Sequence, residues 1–84
     1  MRHVTTNGLD DLDDVLRELR AVEGLTEKKR GVFYRGSRAF LHFHEDPSGM
    51  YADVRLDAEF ERMRVTTKAE RRRLLSLVRA ATRR

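Results

Sequence analysis

The amino-acid sequence predicts a small α+β fold, in which an antiparallel β-meander of three or four strands is flanked by an N-terminal and a C-terminal helix. Apolar residues recur at helical spacing near both ends of the chain, whereas the middle alternates apolar and polar residues between turn signals. The length agrees, because 84 residues suffice for one domain, residues 1–84, with a thin hydrophobic core.

An amphipathic helix opens the chain. Its apolar residues form one stripe, which consists of Leu9, Leu12, Val15, Leu16, Leu19 and Val22. Four carboxylates fall in its first turns, namely Asp10, Asp11, Asp13 and Asp14. They resemble a metal cluster, but we expect them to complement the positive end of the helix dipole. Gly24 is expected to cap the end of the helix.

The first hairpin turns at Gly36 and Ser37, because glycine in the first position of a two-residue loop favours a type II′ turn. Its two strands are predicted over residues 32–35 and 38–44. The expected cross-strand pairs are Arg35 with Arg38 and Phe33 with Phe40.

The second hairpin turns at residues 46–49 (DPSG), where proline and glycine occupy positions that a type I turn favours. The following strand, residues 50–56, alternates apolar and polar side chains, and a short fourth strand is expected around residues 62–65. Residues 67–70 (TKAE) form a capping box that opens the C-terminal helix. The apolar residues of that helix are Leu74, Leu75, Val78 and Ala81.

The second hairpin has two alternative registers. If Glu45 pairs with Met50, the aliphatic side chains of the third strand face the core and its ionisable ones face outward. If Gly49 forms a bulge, Asp46 pairs with Met50 and the strand presents its other face. We expect the first register, because a few kcal/mol of hydrophobic burial outweighs a turn preference of about 1 kcal/mol.

In this register the sheet has an apolar core face and an ionisable outer face. The core face carries Val32, Tyr34, Ala39, Leu41, Phe43, Met50, Ala52, Val54 and Leu56. The outer face carries Phe33, Arg35, Arg38, Phe40, His42, His44, Tyr51, Asp53 and Arg55, with His42 opposite Asp53 and His44 opposite Tyr51. A second interpretation of Phe33 and Phe40 is that a helix covers them as a small second core.

The mixture of arginine and aromatic side chains on the outer face predicts binding of nucleic acid or another polyanion, with arginine on phosphates and aromatic rings on bases. The residues of this candidate site are Arg35, Arg38, Phe40, Tyr51 and Arg55, extended by Arg71, Arg72 and Arg73. The charge distribution is compatible, because residues 66–84 carry seven basic side chains and one acidic one. Residues 1–26 carry six acidic side chains and three arginines, so attraction between the two helices, within the chain or across a dimer, is the alternative.

A second candidate site is a metal centre. His42 and His44 lie two residues apart on one strand, a spacing that can chelate a metal ion, and Asp53 is the third ligand in this hypothesis. An ordinary cross-strand pair of His42 and Asp53 explains the same residues. We expect no catalytic residues and no cofactor, because phosphate-binding loops, nucleophile elbows and zinc-protease helices are absent from the sequence.

The composition excludes several classes of protein. The chain has no cysteine, which excludes disulfides, thiol nucleophiles and cysteine-bound zinc. No apolar stretch approaches the roughly 20 residues of a membrane span, and the first residues lack the apolar segment of a signal peptide. We therefore expect a cytoplasmic protein with no membrane partner.

Two segments, residues 21–27 (AVEGLTE) and 33–40 (FYRGSRAF), resemble the YjbR-like small bacterial proteins. Glu23 replaces the proline of that family's first motif, while Arg38 and Phe40 hold the Lys and Phe positions of its second. The resemblance implies a β-α-β4-α arrangement, which agrees with the elements above if residues 2–6 add a strand, and a DNA-binding-like fold. Residues 40–47 with 51–55 are also similar to uncharacterised short proteins of high-GC bacteria.

These observations predict three functions, in decreasing order of expectation. The first is a non-enzymatic module that binds nucleic acid or another polyanion. The second is a protein-interaction or dimerisation module that joins the acidic helix of one copy to the basic helix of another. The third is a metal-binding protein that uses His42, His44 and Asp53.

Overall fold

The computed structural model describes residues 2–83, in the order strand, two helices, five strands and helix. The elements are β1 (Arg2–His3), α1 (Thr6–Asp11), α2 (Asp13–Arg20), β2 (Leu25–Lys29), β3 (Val32–Arg35), β4 (Arg38–Asp46), β5 (Gly49–Val54), β6 (Glu61–Arg64) and α3 (Lys68–Thr82). The strands form one antiparallel sheet in the order β2-β3-β4-β5-β6, and β1 pairs with the far end of β4. The predicted α+β class is confirmed, and the sheet gains β1 and β2.

The N-terminal helix is interrupted at Leu12, so the single predicted helix is two, α1 and α2. The Leu12 N–H is shared between the carbonyls three and four residues before it, at 3.1 and 3.2 Å, which tightens the chain locally. Asp13 and Asp14 lie in the first turn of α2, as expected from the helix dipole. Asp10 and Asp11 lie at the end of α1, where that explanation is wrong.

The helix α2 ends earlier than the sequence predicts. It ends at Arg20, with Ala21 as its cap residue, and Gly24 lies in the following turn with a φ of 94°. That turn leads into the edge strand β2, which is unexpected because its segment LTEKK has a single apolar residue. The Glu27 carboxylate of β2 accepts hydrogen bonds from Arg20 Nε (2.5 Å) and the Gly31 N–H (2.9 Å). These bonds attach the strand to its neighbours.

Both predicted hairpin turns are confirmed. Arg35 pairs with Arg38 across the first loop, where Gly36 has the φ of 63° that a primed turn requires of its first residue. In the second hairpin Glu45 pairs with Met50, so the expected register is the observed one. The resulting outer-face pairs are His42 with Asp53 and His44 with Tyr51.

A β-bulge at Phe40 changes the faces of the first hairpin. Phe33 pairs with Leu41 and Tyr34 pairs with Ala39, so β4 carries one residue more than β3. Phe33 and Phe40 point into the core, where they are 0% and 2% exposed, and Tyr34 and Ala39 are half-buried on the outer face. The predicted outward placement of the two phenylalanines is wrong, because burying two aromatic rings gains more than burying Tyr34 and Ala39. The second interpretation is correct that they are buried, but they belong to the single core and not to a second one.

One hydrophobic core lies between the sheet and the helices α2 and α3. Its buried members are Leu12, Val15, Leu16, Leu19, Phe33, Phe40, Leu41, Phe43, Ala52, Val54, Val65, Leu74, Leu75 and Val78. The predicted capping box starts α3, because Thr67 Oγ1 accepts from the Glu70 N–H and the Glu70 carboxylate accepts from the Thr67 N–H. Within residues 2–83, no helix has the length and apolar character needed to cross a bilayer.

Ion pairs join the acidic and basic helices within one chain. Arg79 of α3 contacts Glu18 of α2 at 2.5 Å, and Arg71 lies 3.6 Å from Asp14. Arg71 also donates to the Asp11 carbonyl at 2.9 Å. Some acidic side chains of α2 are therefore neutralised by basic side chains of α3 in the same chain. Dimerisation through these helices stays a prediction.

Candidate metal centre

His42 and His44 of β4 meet Asp53 of β5 on the outer face of the sheet. Strand alternation places both histidines on this face, and the observed register brings Asp53 alongside them. The three residues offer one ligand atom each, and these atoms lie within 4.8 Å of one another. We call these three residues the histidine–carboxylate cluster. The sequence predicted this combination as the second candidate site, and the fold brings it together.

Both imidazoles approach the same carboxylate oxygen. Asp53 Oδ2 lies 3.0 Å from His44 Nε2 and 3.5 Å from His42 Nε2. His44 Nε2 is buried and has no hydrogen-bond partner within residues 2–83, although Asp53 Oδ2 lies 3.0 Å from it. Buried polar nitrogens without a partner are uncommon in folded proteins. The fold therefore places His44 beside Asp53 and leaves its Nε2 atom without a hydrogen-bond partner.

Arg62 of β6 holds Asp53 from the opposite side. The two residues are direct cross-strand partners, and the guanidinium donates from Nε to Oδ1 (2.7 Å) and from Nη2 to Oδ2 (2.8 Å). This paired hydrogen bond is the main reason that the pKa of the Asp53 carboxyl is lowered, so the carboxylate is charged at neutral pH. Arg62 thus orients the carboxylate, as outer partners of metal-binding carboxylates commonly do.

The His42 ring is covered by the loop between β5 and β6. Its ring centroid lies 5.3 Å from that of Phe60, edge to face, and the Arg55 guanidinium carbon lies 4.4 Å from the Phe60 centroid. Burial lowers the pKa of His42 below its ordinary value, and the neighbouring His44 adds to this effect. His42 is therefore neutral at pH 7, which is the form of imidazole that binds metals.

The structure distributes the predicted nucleic-acid-binding residues over both sides of the sheet. Phe40 is buried in the core and has no surface on which a base could stack. Arg35 lies on the helix side, where its Nη1 donates to the Ala81 carbonyl at 3.2 Å. Tyr51 and Arg55 lie on the outer face.

The remaining members of that set lie elsewhere. Arg71 donates to the Val65 carbonyl at 2.9 Å on the helix side of the sheet. Arg72 and Arg73 are exposed on α3, and Arg38 is exposed at the first hairpin turn. The eight residues therefore do not form one sheet surface, because the bulge buries Phe40 and the helices lie on the opposite face from Tyr51.

Three residues around the cluster were not identified from the sequence. Arg62 could have been, because extending the cross-strand register from β5 to the weak fourth strand places it opposite Asp53. Phe60 lies in an irregular loop that no periodicity describes. His3 pairs with His44 through β1, and this pairing between distant parts of the chain has no local sequence signal.

No protein-family model matches the chain, and no curated protein and no solved structure is significantly similar to it. The resemblance to the YjbR-like proteins therefore stays a prediction.

Proposed function

We propose that this protein binds a divalent transition-metal ion of the Zn²⁺ class at His42, His44 and Asp53. The observation that carries the proposal is the approach of both imidazole Nε2 atoms to one Asp53 oxygen, at 3.0 and 3.5 Å. Ligand atoms about 2.0–2.1 Å from a tetrahedral zinc ion lie roughly 3.3 Å from each other, between these two distances. Two imidazoles and a carboxylate suit zinc, iron, nickel or copper, whereas magnesium and calcium prefer oxygen ligands alone.

An ion-pair network is the competing explanation, in which Arg62 and the cross-strand partner His42 are the partners of Asp53. That network leaves His44 Nε2 buried without a hydrogen bond, at a cost of about 1–3 kcal/mol for a buried polar group. A metal ion would give this nitrogen a partner. Arg62 need not leave, because each carboxylate oxygen has a second lone pair. The unsatisfied nitrogen therefore favours the metal site.

We propose binding rather than catalysis as the role of the ion. The sequence carries no catalytic motif, and the nearby Phe60 and Arg55 narrow the approach to His42. A bound ion would link β4 to β5 beneath that loop, and it would add a cross-link to a domain with a thin core.

The test is a calorimetric titration of the untagged, chelator-treated protein with Zn²⁺, Ni²⁺ and Co²⁺. We expect one ion per chain with micromolar or tighter affinity, and no measurable heat from Mg²⁺ under the same conditions. The affinity should fall as the pH is lowered, because metal ligands must be deprotonated to bind the ion. Absence of binding by all three transition ions would leave the ion-pair network as the explanation of the cluster.

We also propose a second function, the binding of polyanions by the exposed side of α3. Lys68, Arg72 and Arg73 are exposed there, which favours electrostatic contact with phosphates. Fluorescence anisotropy with a labelled single-stranded oligonucleotide should show binding that weakens steeply with salt. Arg72→Glu with Arg73→Glu should abolish it, whereas Lys28→Glu with Lys29→Glu, the same charge change on β2, should weaken it less. Salt-independent binding, or equal losses in the two double variants, would contradict this function.

A further inference from the structure

We infer that His3 is the fourth ligand of the proposed metal site, so that binding of the ion fastens β1 to β4. The inference rests on the proposed function and specifies how the ion is held. The sequence contains three histidines, and His3 stacks on His44, which in turn contacts His42. All the imidazoles of the chain are thus gathered at one place on the sheet.

The pairing of β1 with β4 places His3 beside the cluster. His3 and His44 are direct partners in this antiparallel pair, and direct partners project from the same face. Their ring centroids lie 5.5 Å apart, and those of His42 and His44 lie 4.8 Å apart. His3 and His42 also line the same surface cavity, next to the gap between β1 and β3.

These ring spacings suit imidazoles that share one ion. With metal–nitrogen bonds of about 2.0–2.1 Å, the centroids of two rings on a tetrahedral ion lie roughly 5 Å apart. His3 is exposed, so its ring can turn from the stacked arrangement and direct a nitrogen at the ion. Such rotations of exposed side chains take picoseconds to nanoseconds. Rotation of the His3 side chain is therefore the movement by which its imidazole would join the three residues of the cluster.

A fourth protein ligand changes the character of the site. Three imidazoles and one carboxylate fill a tetrahedral shell, which is typical of structural metal sites, whereas three ligands leave a position open to water. Structural sites contribute directly to folding free energy. The ion would therefore act on the stability of the sheet, in agreement with a binding role.

A bound ion would stabilise the strand β1 more than any other element of the sheet. It has two residues, both exposed, and it is held by pairing with β4 and by the Thr5 N–H, which donates to the Glu45 carboxylate. So short a strand is marginal in water. A bond from His3 to the ion would attach β1 more firmly to β4. By thermodynamic linkage, docking of β1 raises the metal affinity by the factor by which the metal favours docking.

The test compares His3→Gln with Arg2→Gln, because Arg2 is the neighbouring residue of β1 and projects from the opposite face. We expect His3→Gln to weaken Zn²⁺ binding at least about tenfold, and Arg2→Gln to keep it within about twofold. The visible spectrum of bound Co²⁺ should change from a four-coordinate type in the wild type and Arg2→Gln to a weaker, higher-coordinate type in His3→Gln. That change would report that more than one water enters where the imidazole was bound.

Amide hydrogen exchange supplies a second readout. Zn²⁺ should slow exchange at the backbone of His3 and Thr5 in the wild type, and it should have no effect there in His3→Gln. Equal Zn²⁺ affinities and Co²⁺ spectra for His3→Gln and the wild type would overturn the fourth-ligand inference while the three-ligand site stands. Failure of the wild type itself to bind Zn²⁺ or Co²⁺ would instead remove the proposed function.

Discussion

Replacing Phe33 by alanine is expected to lower the free energy of unfolding by about 3–5 kcal/mol. The side chain is fully buried between the sheet and the helices, so its truncation removes apolar contacts and leaves a cavity. A domain of 84 residues has a total stability of only about 4–13 kcal/mol, so the variant should lose a large part of it. Urea denaturation followed by far-ultraviolet circular dichroism measures the loss.

Phe60→Ala is the matched control, because it makes the same chemical change at a side chain that is 38% exposed. We expect it to lower the free energy of unfolding by less than about 1 kcal/mol. Equal losses in the two variants would mean that Phe33 lies on the outer face, as uninterrupted alternation predicts. That result would contradict the bulge at Phe40.

Replacing His44 by alanine is expected to weaken Zn²⁺ binding by at least about 100-fold. Loss of a group that merely orients a ligand costs roughly 10–100-fold in metal affinity, and loss of a ligand should cost no less. His44 is the cluster imidazole that most needs a partner, because its Nε2 is buried without a hydrogen bond. Calorimetric titration with Zn²⁺ measures the change, and circular dichroism confirms that the variant is folded.

Tyr51→Phe provides the control for this measurement. Tyr51 lies directly opposite His44 on the same face and belongs to the sheet but not to the cluster. We expect its variant to bind Zn²⁺ as the wild type does. If His44→Ala and Tyr51→Phe both kept wild-type affinity, the ion would have to bind elsewhere on the chain.

The register of the second hairpin, and with it the cluster, could be predicted from the sequence. The reason is that β5 alternates apolar and ionisable residues, and a slip by one position would bury Asp53 in the core. The two registers differ greatly in the free energy of burial, so the alternation along β5 is enough to identify the correct one. The cluster followed from this register, because His42 and Asp53 are direct cross-strand partners.

The bulge at Phe40 could not be predicted in the same way. Turn rules determine the pairing next to the loop, so Arg35 and Arg38 pair as expected. The pairing beyond them depends on how Phe33 and Phe40 fit beneath α2 and α3, and this is a property of the assembled core. The resemblance allowed a strand before the first helix, but the pairing of β1 with β4 could not be predicted, because it joins distant segments of the chain.

The closure of the core by α3 has a consequence for the kinetics of folding. The strands β2 to β6 are neighbours both in sequence and in the sheet, so their hairpins can form with little loss of loop entropy. The packing of Leu74 and Val78 onto the sheet instead brings together segments far apart in the chain. If α3 docks after the folding barrier, its contacts slow unfolding far more than they speed folding. The unfolding rate, and with it the lifetime of the folded molecule, would then be set by α3, the helix that is synthesised last.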